Sequence, residues 1–300
     1  MPPSTRTISQ NFVDTGGDHK LDVTLIKMCD LNKDYADLRA IVERNEGSPL
    51  GLSGTFLRNG TLRVLAIADA TSVILIDFPG VKNIRRVNSS NPSSITPGYD
   101  YLRDHVLGRT CGFLYAFDMG PLALALWLTR DLRIKQAIDI QSGGSPKTRA
   151  PLATIKFAAQ DKVINEGNIT RAFRDFVCKS PKDVADTATT TPLAQRAWIA
   201  HYVSQLACME DRLSQVPPID TVKLPDAVIY FISFSLCFRL MVVSRSLTSW
   251  LRLQQMPSEG MNSSRLRLLE LTIHLLMTRR SNSVLKQIVF RTKFIRAKVK

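Results

Sequence analysis

Cysteine is scarce in this 300-residue chain, and its five copies, Cys29, Cys111, Cys178, Cys208 and Cys237, stand far apart with no CxxC pair. An odd number at such spacing argues against a disulfide framework or a thiolate metal cluster and fits a reducing compartment. The opening residues, MPPSTRTISQ, lack the apolar core of a secretion signal. The expectation is an intracellular protein, nuclear or cytoplasmic, and not secreted. Long apolar runs are nearly missing too. Only Ala227 to Val243 approaches a bilayer span, and Arg239 interrupts it. An arginine within a spanning helix costs about 2.5 to 3.5 kcal/mol on insertion scales. A buried or partner-covered helix fits that run better, with contact to a membrane surface as the alternative.

Two catalytic signatures are absent as well. SGGSPKT, Ser142 to Thr148, has glycine and lysine without the Walker spacing, and no G-x-S-x-G elbow occurs. Acids are missing from one region above all. From Ala227 to Lys300 there are 13 Lys and Arg against only Glu259 and Glu270, so this tail carries +11 of the net +14. The body before it is almost balanced. A polyanionic partner is therefore a matter for the tail, not for the folded body.

What is present is enough apolar sequence for a sizeable core, 44% against 22% charged, which suits one large domain or two smaller ones. Residues 1–30, polar and mixed in sign, read as a flexible arm. Tyr35 to Glu46 sets Leu38, Ile41 and Val42 on one face of a helix. LGLSGTFLRNGTLRVLAIADATSVILIDF, Leu50 to Phe78, reads as three strands, the first two joined at Asn59-Gly60, a strong hairpin signal because both turn residues tolerate positive φ. A short helix follows around Tyr101 to Val106, then a strand at Thr110 to Phe117. Next come a proline-opened helix at Pro121 to Leu128 and a strand at Ile134 to Gln141. Helices are expected at Pro151 to Gln160 and, as one long element, at Pro192 to Leu213, with TATTTP before it as a loop or cap. Pro217-Pro218 and Pro225 mark the end of the body.

Three strands, helix, strand, helix, strand is an order that resembles the ribonuclease H-like fold, and its spacing resembles DEDD-type 3'-5' exonucleases over Ser48 to Leu213. GTLRVLAIADATSVILID resembles the family's second and third strands, and AIDIQS, Ala137 to Ser142, the segment after its second motif. The expected fold class is thus α/β, a ribonuclease H-like mixed sheet in which an antiparallel three-strand meander precedes alternating helices and strands. An exonuclease-like domain would fill 31–216 and a basic helical C-terminal extension 217–300.

The resemblance implies phosphodiester hydrolysis by two divalent cations held on carboxylates, since hard cations prefer charged oxygen ligands. The family's Asp-x-Glu falls on Ser53-Gly54-Thr55, where strand alternation keeps both side chains on one face but both charges are gone. Its second acid falls on Asp118, readable either as a remnant metal ligand or as a helix cap; a match at Gly120 or Pro121 would remove that acid too. Its Tyr-x-x-x-Asp falls on Trp198 and Tyr202, or, shifted by two, on Ala200 and Ser204, again without a carboxylate. His201 beside them reads as a surface or core histidine.

The expectation is a nucleic-acid-binding, exonuclease-like protein that is catalytically impaired, a pseudo-nuclease needing no cofactor. The alternative is an active metal-dependent enzyme using Mg²⁺ or Mn²⁺, with Asp118 helped by Asp77 or Asp139. A third reading is a protein-interaction or membrane-associated module acting through the tail. In that tail Arg279, Arg280, Lys286, Arg291, Lys293 and Arg296 lie along amphipathic helical patterns and are the candidates for phosphate contact with RNA or DNA. Nothing in the sequence sets an oligomeric state.

Overall fold

KLDVTLIK opens the sheet: Leu21 and Val23 alternate inward while Lys20 and Asp22 face water. In the computed structural model, which describes residues 4–14, 20–57, 60–78, 96–144, 150–160, 162–174, 187–224 and the backbone of 177–178, this segment is strand β2 (Lys20–Lys27). It pairs antiparallel with β1 (Ser4–Ser9). The arm expected over 1–30 is therefore corrected for these two stretches. Polarity misled there because β1 is an edge strand with much of its surface exposed. The residues that follow β1 are also anchored. Gln10 donates to Val13 O and accepts from the amides of Phe12 and Val13, and Phe12 is fully buried.

The meander forms as read: β3 (Leu50–Leu57), β4 (Leu62–Ala68) and β5 (Ser72–Asp77) pair antiparallel in sequence. Gly60 takes φ 78°, as the turn after β3 requires. β6 (Leu114–Ala116) then lies parallel to β3, and β7 (Ala137–Asp139) parallel to β6. The path across the sheet is β1-β2-β5-β4-β3-β6-β7, with β8 (Val177–Cys178) pairing the far end of β3. Its last five strands give the mixed meander-then-parallel order of the ribonuclease H-like fold, and β1 and β2 widen the sheet beyond them.

Helices cover both faces. On one lie α1 (Met28–Leu31), α2 (Ala36–Arg44), α3 (Pro97–Tyr101) and α4 (Met119–Arg130); α3 runs on as a wider π-helical stretch, Leu102–Leu107. Leu50, Leu52, Leu65, Ile67, Leu114 and Leu126 belong to the core they enclose. The other face carries α5 (Ile140–Gly143), α6 (Pro151–Ala159), α7 (Glu166–Ala172), α8 (Thr187–Ser204) and α9 (Ala207–Ser214), over Val64, Ala66, Leu75, Tyr115, Leu193 and Ala197.

Two boundaries differ from the sequence reading. The long helix expected from Pro192 starts earlier, so TATTTP supplies its first turns, and it breaks after Ser204 before α9. Burial of Thr190 and Leu193 outweighs the poor helix propensity of that run. Past Pro217-Pro218 the chain is still bound to the body: Ile219 bridges Ala137, and Thr221 bonds Ile134. The described residues all fall within one compact unit, Met1–Ser249; the second unit, Trp250–Lys300, lies outside them. No helix among the described residues is long and apolar enough to cross a membrane. The Ala227 to Val243 run and the six tail cations lie outside the described residues.

Candidate functional site

β3 alternates as strands do, so Leu50 and Leu52 enter one core while Gly51, Ser53 and Thr55 face α8. Helix and strand touch almost directly. A Cβ on Gly51 would stand 2.0 Å from Ala197 O and 2.6 Å from His201 N. Ser53 and Thr55 are buried, 6% and 2% exposed. The parallel register pairs Gly51 with Tyr115; carried two residues on, it sets Ser53 level with Phe117, the residue before Asp118. On the other face, a Cβ on Gly54 would lie 2.7 Å from Leu122 Cδ1 in the first turns of α4. Ser53, Thr55 and Asp118 thus share one end of the sheet, where β6 stops and α4 begins. Ligands commonly bind beyond the carboxyl ends of parallel strands in such sheets.

Asp118 is unusual there. It holds a left-handed backbone, φ 56° and ψ 46°, and although it precedes α4 its side chain makes no capping hydrogen bond. A non-glycine residue in that region carries strain of order 1 kcal/mol or more, and such strain gathers at functional sites. Its amide donates to Gln141 Oε1 at 3.0 Å. Burial pushes the Asp118 carboxyl above its usual range, and the positive charge of Arg196 pulls it back.

Arg196 is the residue the sequence reading missed. It lies on α8, 2% exposed, inside the apolar run LAQRAWIA. A lone arginine within that apolar, alanine-rich run was the available signal.

The other candidates divide. Asp139 caps α5, accepting from Gln141 N at 3.0 Å, and sits opposite Ala116 across β6 and β7, so Gln141 links it to Asp118. Asp77 lies at the end of β5 in an ion pair with Arg63 at 2.9 Å. Burial pushes its carboxyl up to about 6 against Arg63, Lys27 and Arg130. Trp198 donates to Ala70 O at 3.1 Å, in the turn between β4 and β5, and Tyr202 stacks on it at 5.1 Å while accepting from Lys162 Nζ at 2.7 Å. Trp198 thus bonds that turn, and Tyr202 bonds Lys162, between α6 and α7. Of the shifted register, Ala200 is buried and Ser204 donates to His201 O. His201 is 2% exposed; its Nδ1 meets Pro49 O at 3.1 Å, and its Nε2 is buried with no hydrogen-bond partner. Burial lowers its pKa, opposed by the Pro49 bond and the charge of Asp69.

Two hydroxyls, one carboxylate and one guanidinium do not fit a pair of divalent cations, which need several charged oxygens. Among the described residues no group of three or more His, Cys, Asp or Glu is placed to hold a metal. No family model matches the chain, and no curated protein matches it. Among solved structures it is similar to Escherichia coli RNase D, described as an exoribonuclease involved in structured RNA processing, with TM-score 0.36 and 14% identity over 71% of this chain and 49% of that one. The chain thus spans about half the length of that structure.

Proposed function

We propose that this protein is a DEDD-type, 3'-5' exonuclease-like domain that binds nucleic acid and is impaired in metal-dependent hydrolysis. The observation that carries this reading is the charge at the end of β6. Of Ser53, Thr55 and Asp118 only the last carries charge, and the cation that acts on that carboxylate is the buried Arg196. Hydroxyls supply no negative charge to offset two dications, so the attacking water and leaving oxygen would not be held. Affinity for RNA or DNA would come from phosphate contacts, with Arg279, Arg280, Lys286, Arg291, Lys293 and Arg296 as the main cations.

The test is fluorescence polarisation of end-labelled single-stranded RNA and DNA with the full chain, alongside gel analysis of strand length with Mg²⁺ or Mn²⁺. Expected are binding that weakens steeply with salt and strands that keep their length. Absence of binding at low salt overturns the binding half. Metal-dependent shortening that disappears in Asp118→Asn overturns the other half and establishes the second reading, an active divergent exonuclease. The link from Asp118 through Gln141 to Asp139 is what favours that alternative.

A further inference from the structure

Pro217 and Pro218 are exposed and have no N–H to donate, so they separate α9 from the strap that follows, residues 219–224. The strap meets the body at one β-bridge. Ile219 N donates to Ala137 O at 2.6 Å, and Ala137 N donates to Ile219 O at 3.2 Å. Thr221 then exchanges two bonds with Ile134: its amide donates to Ile134 O at 2.9 Å, and its hydroxyl accepts from Ile134 N at 2.8 Å. Beyond this the chain turns, with Leu224 N reaching back to Thr221 O at 3.3 Å. The turn brings three carbonyls to one cation. Arg133 Nη1 donates to Thr221 O at 3.0 Å, Val222 O at 3.3 Å and Leu224 O at 3.0 Å, while its guanidinium lies over the Trp127 ring, 5.0 Å from the ring centre.

Polar bonds hold this strap more than apolar burial does. Ile219 packs against the core, but Val222 is 43% exposed and the Lys223 side chain is solvated. A segment with so little buried apolar surface opens locally before the body unfolds. Its direction gives that opening a consequence. β6 and β7 run parallel, and Asp118 and Asp139 lie at the ends they run toward. The strap is antiparallel to β7 and leads the chain away from that end. α9, just before the prolines, sits at that end: a Cβ on Gly143, in the helix that Asp139 caps, would lie 2.8 Å from Leu213 Cδ2. We propose that residues 219–224 are a releasable latch, with Arg133 as its catch, that sets where the basic tail leaves the body. Latched, the tail starts where β7 begins. Released, the chain is free from Pro217 onward, and the tail starts beside α5, at the end that holds Ser53, Thr55 and Asp118. This goes beyond the proposed function and rests on it only in taking the tail as the part that contacts phosphate.

Hydrogen exchange of the full chain without nucleic acid, read by mass spectrometry, tests the latch, so its outcome is separate from whether the chain binds RNA or DNA. Peptides covering the strap, α9 through Val216, and β4 are followed in the parent, in Arg133→Met and in Thr221→Val. Expected in the parent is exchange of the strap at least roughly tenfold faster than that of β4. Each substitution should speed the strap by about another tenfold, through loss of hydrogen bonds that only the closed state makes, and leave α9 at the parent's rate. A strap that exchanges as slowly as β4 overturns the proposal, because it would then open only with the whole body. An Arg133→Met strap at the parent's rate overturns Arg133 as the catch. Faster exchange throughout α9 overturns the shift of the tail's starting point, since that helix would leave with the strap. Protection of β4 reports folding in each variant, and Thr221→Val carries the test where Arg133→Met loses it.

Discussion

Replacing Gly51 with alanine should separate the sheet from the helix that completes its face. The added Cβ would meet Ala197 O at 2.0 Å, His201 N at 2.6 Å and His201 Cβ at 3.0 Å. Two of these are backbone atoms of α8, so no rotamer change relieves them. To restore van der Waals separation, α8 must lift by on the order of 1 Å, loosening its packing along β3 and β4. Overpacking of this kind costs about 1 to 3 kcal/mol, and an obstruction made of backbone belongs at the upper end. With a urea dependence of about 3 kcal/mol per molar for a domain of this size, the unfolding midpoint should fall by about 1 M. Gly120→Ala is the matched control. It lies in α4 with nothing within 4 Å of the new Cβ, and should stabilise by about 0.5 kcal/mol through helix propensity alone. Equal midpoints for Gly51→Ala and the parent chain would refute the close-contact argument.

Two further expectations concern pH. His201 is held neutral by burial, with its folded pKa below the ordinary 6.5, so the unfolded chain takes up protons first as pH falls through that value and stability drops below it; a His201→Gln chain that loses stability just as steeply between pH 6.5 and 5 would contradict this. Asp77 behaves in the opposite sense: its folded pKa of about 6 lies above the ordinary 3.8, so its contribution is fully present below 3.8 and is lost as pH rises through 6. Asp77→Asn, compared with the parent by chemical denaturation at pH 4 and pH 7, should therefore look relatively better at pH 7. A larger relative loss at pH 7 would show that the Arg63 ion pair outweighs the cost of burial.

The meander was legible because Asn59-Gly60 is a local signal and alternation on either side of it repeats every two residues. α4 was legible from its proline and its apolar run. β1 and β2 were not, since STRTIS gains its pairing from β2, and β2 from β5, neither visible locally. The start of α8 was hidden for a similar reason: burial of Thr190 and Leu193 over the sheet decides it, not propensity. At the candidate site the sequence pointed to Ser53, Thr55 and Asp118 through spacing borrowed from a fold. It passed over Arg196, because charge on a helix ordinarily means a solvated face, although the apolar run around this arginine was a signal that the face is buried. It also offered a helix cap for Asp118, a role that the carboxylate does not take.

The contact of Gly51 with Ala197 joins residues separated by most of the folded body, and that has a consequence for how the chain is made. At roughly 15 residues per second, the ribosome delivers α8 about 10 s after β3, and only then can the apolar face of Val64, Ala66 and Leu75 be covered. Until that moment the nascent sheet is a half-finished layer with one greasy side, dependent on non-local closure that is intrinsically slow. Gly51 therefore also acts on the timing of maturation: a bulkier residue there would lengthen the interval in which the emerging chain is exposed to aggregation and to chaperone capture.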